Sequence, residues 1–268
     1  ILIYLHKINV MKQKKLNSIA KKLSSKILKT VENSTFSKTP FSHCVIDNFF
    51  DNSFATELFD SFPPLDDEIW QKTNDKGIEV KYRTNFQSEF DVPDGLINAF
   101  RIFNSSTFLK AISSVFNIPK LMPDPYYTGG GLNVTEKGGL LDVHVDGNYH
   151  DASGLNRRIN VILYLNPGWK TSWGGDFGLY NDNGTKLIKK VEPIFNRLVI
   201  FDTHDKSFHG LPDALNFPEG KNRKSIILYY YTKDGRPSDQ NVYEKPHSAL
   251  WVKKNVTDKK GKTSREFT

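Results

Sequence analysis

Residues 140–150 read LLDVHVDGNYH, and within this apolar run His144 and Asp146 stand two positions apart. In a strand, residues i and i+2 project from one face, so the imidazole and the carboxylate aim at a common point while Val145 packs behind them. A chain seeking only a hydrophobic core has no use for either group at these positions. The pair reads as the start of a divalent-metal site, which needs a third ligand from another strand facing the same cavity.

The other histidines are His6, His43, His150, His204, His209 and His247. His209 is the best placed, because it follows the buried-looking strand RLVIFD by a short turn and precedes Gly210, which leaves room beside it. His204 lies in the polar context DTHDKS and reads as a solvated loop, while His150 is close in sequence to His144 and reads as loop surface. Two histidines and one carboxylate, with coordination positions left open, form the facial set that suits non-haem Fe(II). An isolated HxD pair is weak by itself, since it arises by chance in many chains. Support comes from NRKSIILYYY, fourteen residues after His209, where Arg223 and Ser225 again sit at i and i+2. A guanidinium in an apolar strand needs a partner, and its planar fork matches a carboxylate. That partner is either an internal acid or a ligand carboxylate.

Around this stretch the chain reads as a series of short strands near 127–134, 140–146, 159–166, 177–180, 187–192, 198–202 and 225–232, separated by GGGLN, NPGW, NDNG and FPEG. Upstream, FSHCVIDNFF reads as a strand and DNSFATELFDSF as a helix capped by Asp51 or Ser53. PDGLINAFRIFNSSTFLKAISSVFN supplies one or two helices broken near 104–106. Leu16, Ile19, Ala20, Leu23, Ile27 and Val31 fall at helical spacing among lysines, favouring a helix packed on the domain with a solvated basic face over a membrane-lying one. Helices followed by strands give an α+β class, a jelly-roll sheet pair backed by N-terminal helices. The expected organisation is a basic helical extension over 1–39, a domain over 40–244 with its core at 128–234, and a basic tail over 245–268.

The net charge of +7 is unevenly spread: residues 1–40 carry +8, residues 245–268 carry +5, and the body between them is acidic. That distribution argues against a nucleic-acid groove in the core. No apolar run is long enough for a membrane span. The opening ILIYLHKINV is a poor match to a signal peptide, Met11 reads as a natural start that would make the first ten residues an upstream extension, and the chain is expected to be cytoplasmic. The single cysteine, Cys44, excludes an intrachain disulfide and a cysteine-based metal site.

Taken in order, HVD at 144–146, NVILYLNPGW at 160–169, WGGDFGLY at 173–180, VEPIFNRLVIFDT at 191–203, HG at 209–210 and RKS at 223–225 resemble the Fe(II)- and 2-oxoglutarate-dependent oxygenases, on their prolyl 4-hydroxylase-like branch. The resemblance spans about residues 128–234. It implies a double-stranded β-helix of the cupin-like kind, with iron held by His144, Asp146 and His209. It further implies 2-oxoglutarate held by Arg223 with help from Ser225 and Tyr164, O2 as co-substrate, and ascorbate as a stimulant. The chemistry implied is hydroxylation of an unactivated C–H bond with release of succinate and CO2. Gly174 and Gly175 match a bend beside the site, and Trp169 reads as packing. Thr135 and Leu141 stand where several relatives carry aromatic residues, which bears on the substrate more than on the cofactors. Retention of the aspartate disfavours a halogenase.

A proline or another amino-acid residue ranks first as substrate, on the resemblance, with a small metabolite behind it. Arg157 and Arg158 are candidates to face an acidic or carboxylate-bearing substrate, or are solvated at a strand edge. The polar stretch WQKTNDKGIEVKYRTNFQSEF reads as a rim element. A zinc hydrolase on the same ligands and a non-catalytic jelly-roll binding module are the rival readings; the first leaves Arg223 and Ser225 without a purpose, and the second leaves both pairs unexplained.

Overall fold

The structure, a computed structural model, describes residues 13–75, 78–243 and 245–252. The expected upstream extension and most of the expected basic tail lie outside the described residues. In chain order the elements are α1 (Gln13–Glu32), β1 (Phe36–Ser37), β2 (His43–Ile46), α2 (Asn52–Asp60), β3 (Trp70–Asp75), β4 (Glu79–Thr84), α3 (Ile97–Phe103), α4 (Ser106–Phe116), β5 (Met122–Pro123), β6 (Gly131–Thr135), β7 (Leu140–Val145), β8 (Asn156–Tyr164), β9 (Phe177–Tyr180), β10 (Leu187–Val191), β11 (Arg197–Asp202), β12 (His209–Leu211), β13 (Arg223–Thr232) and β14 (Leu250–Trp251). No helix among the described residues is long and apolar enough to cross a membrane.

The strands join one curled antiparallel sheet in the order β1, β2, β11, β8, β13, β6, β4, β7, β12, β9, β10, with β3 on β4, β5 on β13 and β14 on β7. This is the half-barrel of a double-stranded β-helix backed by helices, the α+β architecture expected. Period-two alternation explains how one strand serves two sides. On β8, Ile159, Val161 and Leu163 enter the core shared with the helices, while Asn160, Ile162 and Tyr164 face the cavity. On β13, Ile226, Leu228 and Tyr230 face the helices, and Arg223, Ser225, Ile227 and Tyr229 face the cavity.

Helix α1 buries Leu16, Ala20, Leu23 and Ile27 in that same core, against α4 and α3, and leaves its lysines outside. It packs on the domain with a solvated basic face, as its spacing implies. Asp51 occupies the N-cap position of α2, but its carboxylate meets Lys22 Nζ at 2.6 Å in place of a cap bond. Ser105 Oγ does cap α4, accepting from the Phe108 N–H. The polar stretch at 70–84 forms the hairpin β3–β4, whose second strand pairs with β6 and β7 and carries Glu79, Lys81 and Arg83 to the cavity mouth.

Candidate active site

His144 reaches the cavity from β7, Asp146 from just beyond its end, and His209 from β12, which pairs beside β7 with His209 opposite His144. A register shift between His209 and Leu211 marks a bulge, so Leu141 and His144 both line the cavity despite their odd spacing. One ligand atom from each of His144, Asp146 and His209 lies within 4.8 Å of the others, and all three residues are buried.

The imidazole orientations are fixed from behind. His144 Nδ1 lies 2.8 Å from the carbonyl of Asp142 and His209 Nδ1 lies 2.9 Å from that of Ser207, so each Nδ1–H donates and each Nε2 lone pair is free. Those Nε2 atoms stand 3.7 and 3.8 Å from the Asp146 oxygens, too far for hydrogen bonds. They converge on a shared point without bonding one another. Burial, with the neighbouring His144, pushes His209 down to about 4, which leaves it neutral and able to ligate near neutral pH. For Asp146, burial alone would raise the pKa; the imidazoles of His209 and His144 and the guanidinium of Arg157 outweigh it and hold the carboxyl below its ordinary range. Two imidazoles with their Nε2 atoms turned inward and one carboxylate, all buried and aimed together, fit a divalent ion such as Fe(II).

The cavity above has a volume of about 640 Å³. Arg223, Ser225 and Tyr164 form its far wall, Ser225 paired across the sheet with Tyr164. The Arg223 guanidinium carbon lies 4.8 Å from the Tyr164 ring centre, and its Nε–H donates to the Gly175 carbonyl at 3.0 Å. No acid forms an ion pair with Arg223 among the described residues, so its charge remains for a ligand. Gly175 allows this geometry: at φ +74° a Cβ would lie 2.5 Å from Leu215 Cδ2 and 3.3 Å from Arg223 Cδ.

Arg157 and Arg158 separate by alternation. Arg157 lines the cavity, stacked 3.9 Å over the Tyr229 ring, and its Nε is buried without a partner. Arg158 points to the other face, towards Thr232 and the buried Asp202, and does not line the cavity. Adjacent strand residues cannot share a face, so only one of the two can meet a bound substrate there.

Other histidines depart from the sequence reading. His150 is not surface; it is buried, with Nε2 3.0 Å from Asp124 Oδ1, and it ties together two rim loops. His204 lies in a tight turn whose Thr203, Asp205 and Ser207 are buried, not in a solvated loop. The segment from Lys245 folds back over the site. His247 meets Asp205 at 3.0 Å, β14 pairs with β7, and Trp251 packs 4.5 Å from the His144 ring. The partners of His150, His247 and Trp251 are distant in sequence, whereas His204 is held by a local turn closed by Ser207. Trp169, as expected, packs against Trp173 and Phe217.

Residues 128–231 match the 2OG-Fe(II) oxygenase superfamily. Among curated proteins, prolyl 3-hydroxylase OGFOD1 of Mus musculus is 30% identical over 200 residues, covering 72% of this chain and 33% of that protein. The Xenopus laevis protein of the same name is 28% identical, covering 72% of this chain and 35% of its own length. The chain thus spans about a third of the length of the curated relatives it matches. In solved structures, a prolyl hydroxylase from Trichoplax adhaerens, complexed with a hypoxia inducible factor peptide fragment, aligns with TM-score 0.53 at 20% identity, covering 83% of this chain and 94% of that one. A prolyl-4-hydroxylase from Pseudomonas putida aligns with TM-score 0.53 at 16% identity, covering 80% and 100%. The fold and the site define a two-histidine, one-carboxylate oxygenase domain. The chain belongs to the 2OG-Fe(II) oxygenase superfamily, with prolyl hydroxylase-like relatives.

Proposed function

We propose that the protein is an Fe(II)- and 2-oxoglutarate-dependent hydroxylase acting on a prolyl residue of a peptide. The observation that carries this reading is the convergence of His144, Asp146 and His209 beneath a cavity whose opposite wall holds an Arg223 with no internal acid as partner. A hydrolase on the same ligands gives that arginine no task. Prolyl hydroxylation is supported by the relatives, which are prolyl hydroxylases.

In this reading His144, Asp146 and His209 hold the iron, and Arg223 binds the distal carboxylate of 2-oxoglutarate, assisted by Tyr164 and Ser225. Bound Fe(II) and 2-oxoglutarate supply the oxidising chemistry, in which O2 and the keto acid yield succinate, CO2 and one hydroxyl on the substrate. The protein positions and shields. Ile162, Phe177 and Leu211 give the cavity apolar wall and exclude water from the ligands. Arg157, held by its stack on Tyr229, lines the cavity and places its guanidinium charge beside a bound substrate. No side chain is assigned as a general base.

The test is turnover with prolyl peptides, Fe(II) and 2-oxoglutarate under air, followed by mass spectrometry and succinate assay. The expected result is a 16 Da gain on proline with one succinate per event. Succinate formation coupled instead to a non-amino-acid substrate would retain the oxygenase and replace the prolyl assignment.

A further inference from the structure

Asn160 interrupts the apolar run RINVILYL on β8, between Ile159 and Val161, and lies across from Phe201 on β11 and Tyr229 on β13. It is 2% exposed. A primary amide in that setting is costly unless its groups find partners. Its Nδ2 donates to Asp146 Oδ2 at 3.2 Å, whereas its Oδ1 is buried with no partner. The orientation follows from chemistry: an ionised carboxylate only accepts, so the NH2 end must face it and the carbonyl end must be the orphan. Half of the amide is therefore left unsatisfied while the other half reaches a residue that the iron site uses.

We propose that Asn160 is a positioning residue for the metal-binding carboxylate, its Nδ2–H fixing the rotation of Asp146 so that the carboxylate stays aimed at the point where the two Nε2 atoms converge. The proposal rests on the metal-site reading above. Among the described residues Asn160 Nδ2 makes the side-chain hydrogen bond to the Asp146 carboxylate, while the two Nε2 atoms stand 3.7 and 3.8 Å away with their lone pairs kept for the ion. Hydrogen bonds of this kind to a ligand typically govern metal affinity by about 10–100-fold.

The test uses Co(II) as an optical stand-in for Fe(II), titrated into wild type, Asn160→Leu and Asn160→Ala, with thermal unfolding of each metal-free protein measured alongside. Leucine keeps the branched skeleton, excludes a substituting water and removes the orphan acceptor, at the loss of the bond to Asp146, so the metal-free protein should still unfold cooperatively. The expected result is a Kd for Co(II) raised at least about tenfold in Asn160→Leu, with displaced visible bands in the saturated complex. Wild-type affinity and bands in both variants would overturn the proposal, as would loss of the metal-free fold in Asn160→Leu, which would make the role structural. Failure of the wild type itself to bind Co(II) would instead overturn the metal-site reading on which the proposal stands.

Discussion

Arg223 tests the division of labour within the site. Its guanidinium is anchored through Nε to Gly175 and lies far from the metal-binding atoms in role, so Arg223→Gln should raise the half-saturating 2-oxoglutarate concentration by about tenfold or more while leaving metal affinity unchanged. Titration of the two ligands separately checks this. Gly175→Ala should fail differently, since both its positive φ and the 2.5 Å approach to Leu215 Cδ2 oppose a methyl group. It should lose about 1 kcal/mol or more of stability and weaken 2-oxoglutarate binding by displacing Arg223, as read by urea unfolding and cofactor titration. His144, Asp146, Arg223 and Ser225 were legible because strand periodicity aims i and i+2 together. Asn160 was visible as a polar residue in RINVILYL, but its partner is fourteen residues away, just beyond the end of β7, so spacing alone gave it no purpose.

At the scale of elements, helix α1 packs on the domain as its spacing implied, and the described part of the segment read as a basic tail pairs with the sheet as well. Ile27 in α1 is fully buried, so Ile27→Ala should cost about 2–5 kcal/mol in urea unfolding, where a detached helix would show no change. Val242, Tyr243 and His247 are held by Asp205, whose carboxylate takes the Val242 and Tyr243 N–H groups and meets His247 Nε2. Burial pulls the Asp205 pKa upward, and these bonds outweigh it to hold the carboxyl below its usual range. The stability it contributes is present above the unfolded-state carboxylate pKa and is lost as pH falls through the lower folded value. Asp205→Ala should expose the C-terminal segment to limited proteolysis near neutral pH and remove that part of the acid dependence. The hairpin β3–β4 and strands β12 and β14 were not legible as strands. The partners of β12 and β14 are distant in sequence, and the polar stretch of the hairpin lacks the alternation that marks a half-buried strand.

Across the whole molecule, one curled sheet places the helices against one face and the cavity against the other, which is why the same strands supply both core and chemistry. The order of strands and helices in the sequence was enough for the class of fold, because each short strand is bounded by turn residues. Sheet order came only with the structure. An ion bound by the folded state alone should raise Tm in proportion to the logarithm of its concentration, and His209→Ala should abolish that dependence. The most direct measurement is anaerobic: Fe(II) and then 2-oxoglutarate are added to the metal-free protein, and the visible charge-transfer band of the chelate is recorded for wild type, His144→Ala and Arg223→Ala. The account predicts a band that is absent in the first variant and needs more 2-oxoglutarate in the second. Folded, iron-loaded wild-type protein that gives no band would contradict it.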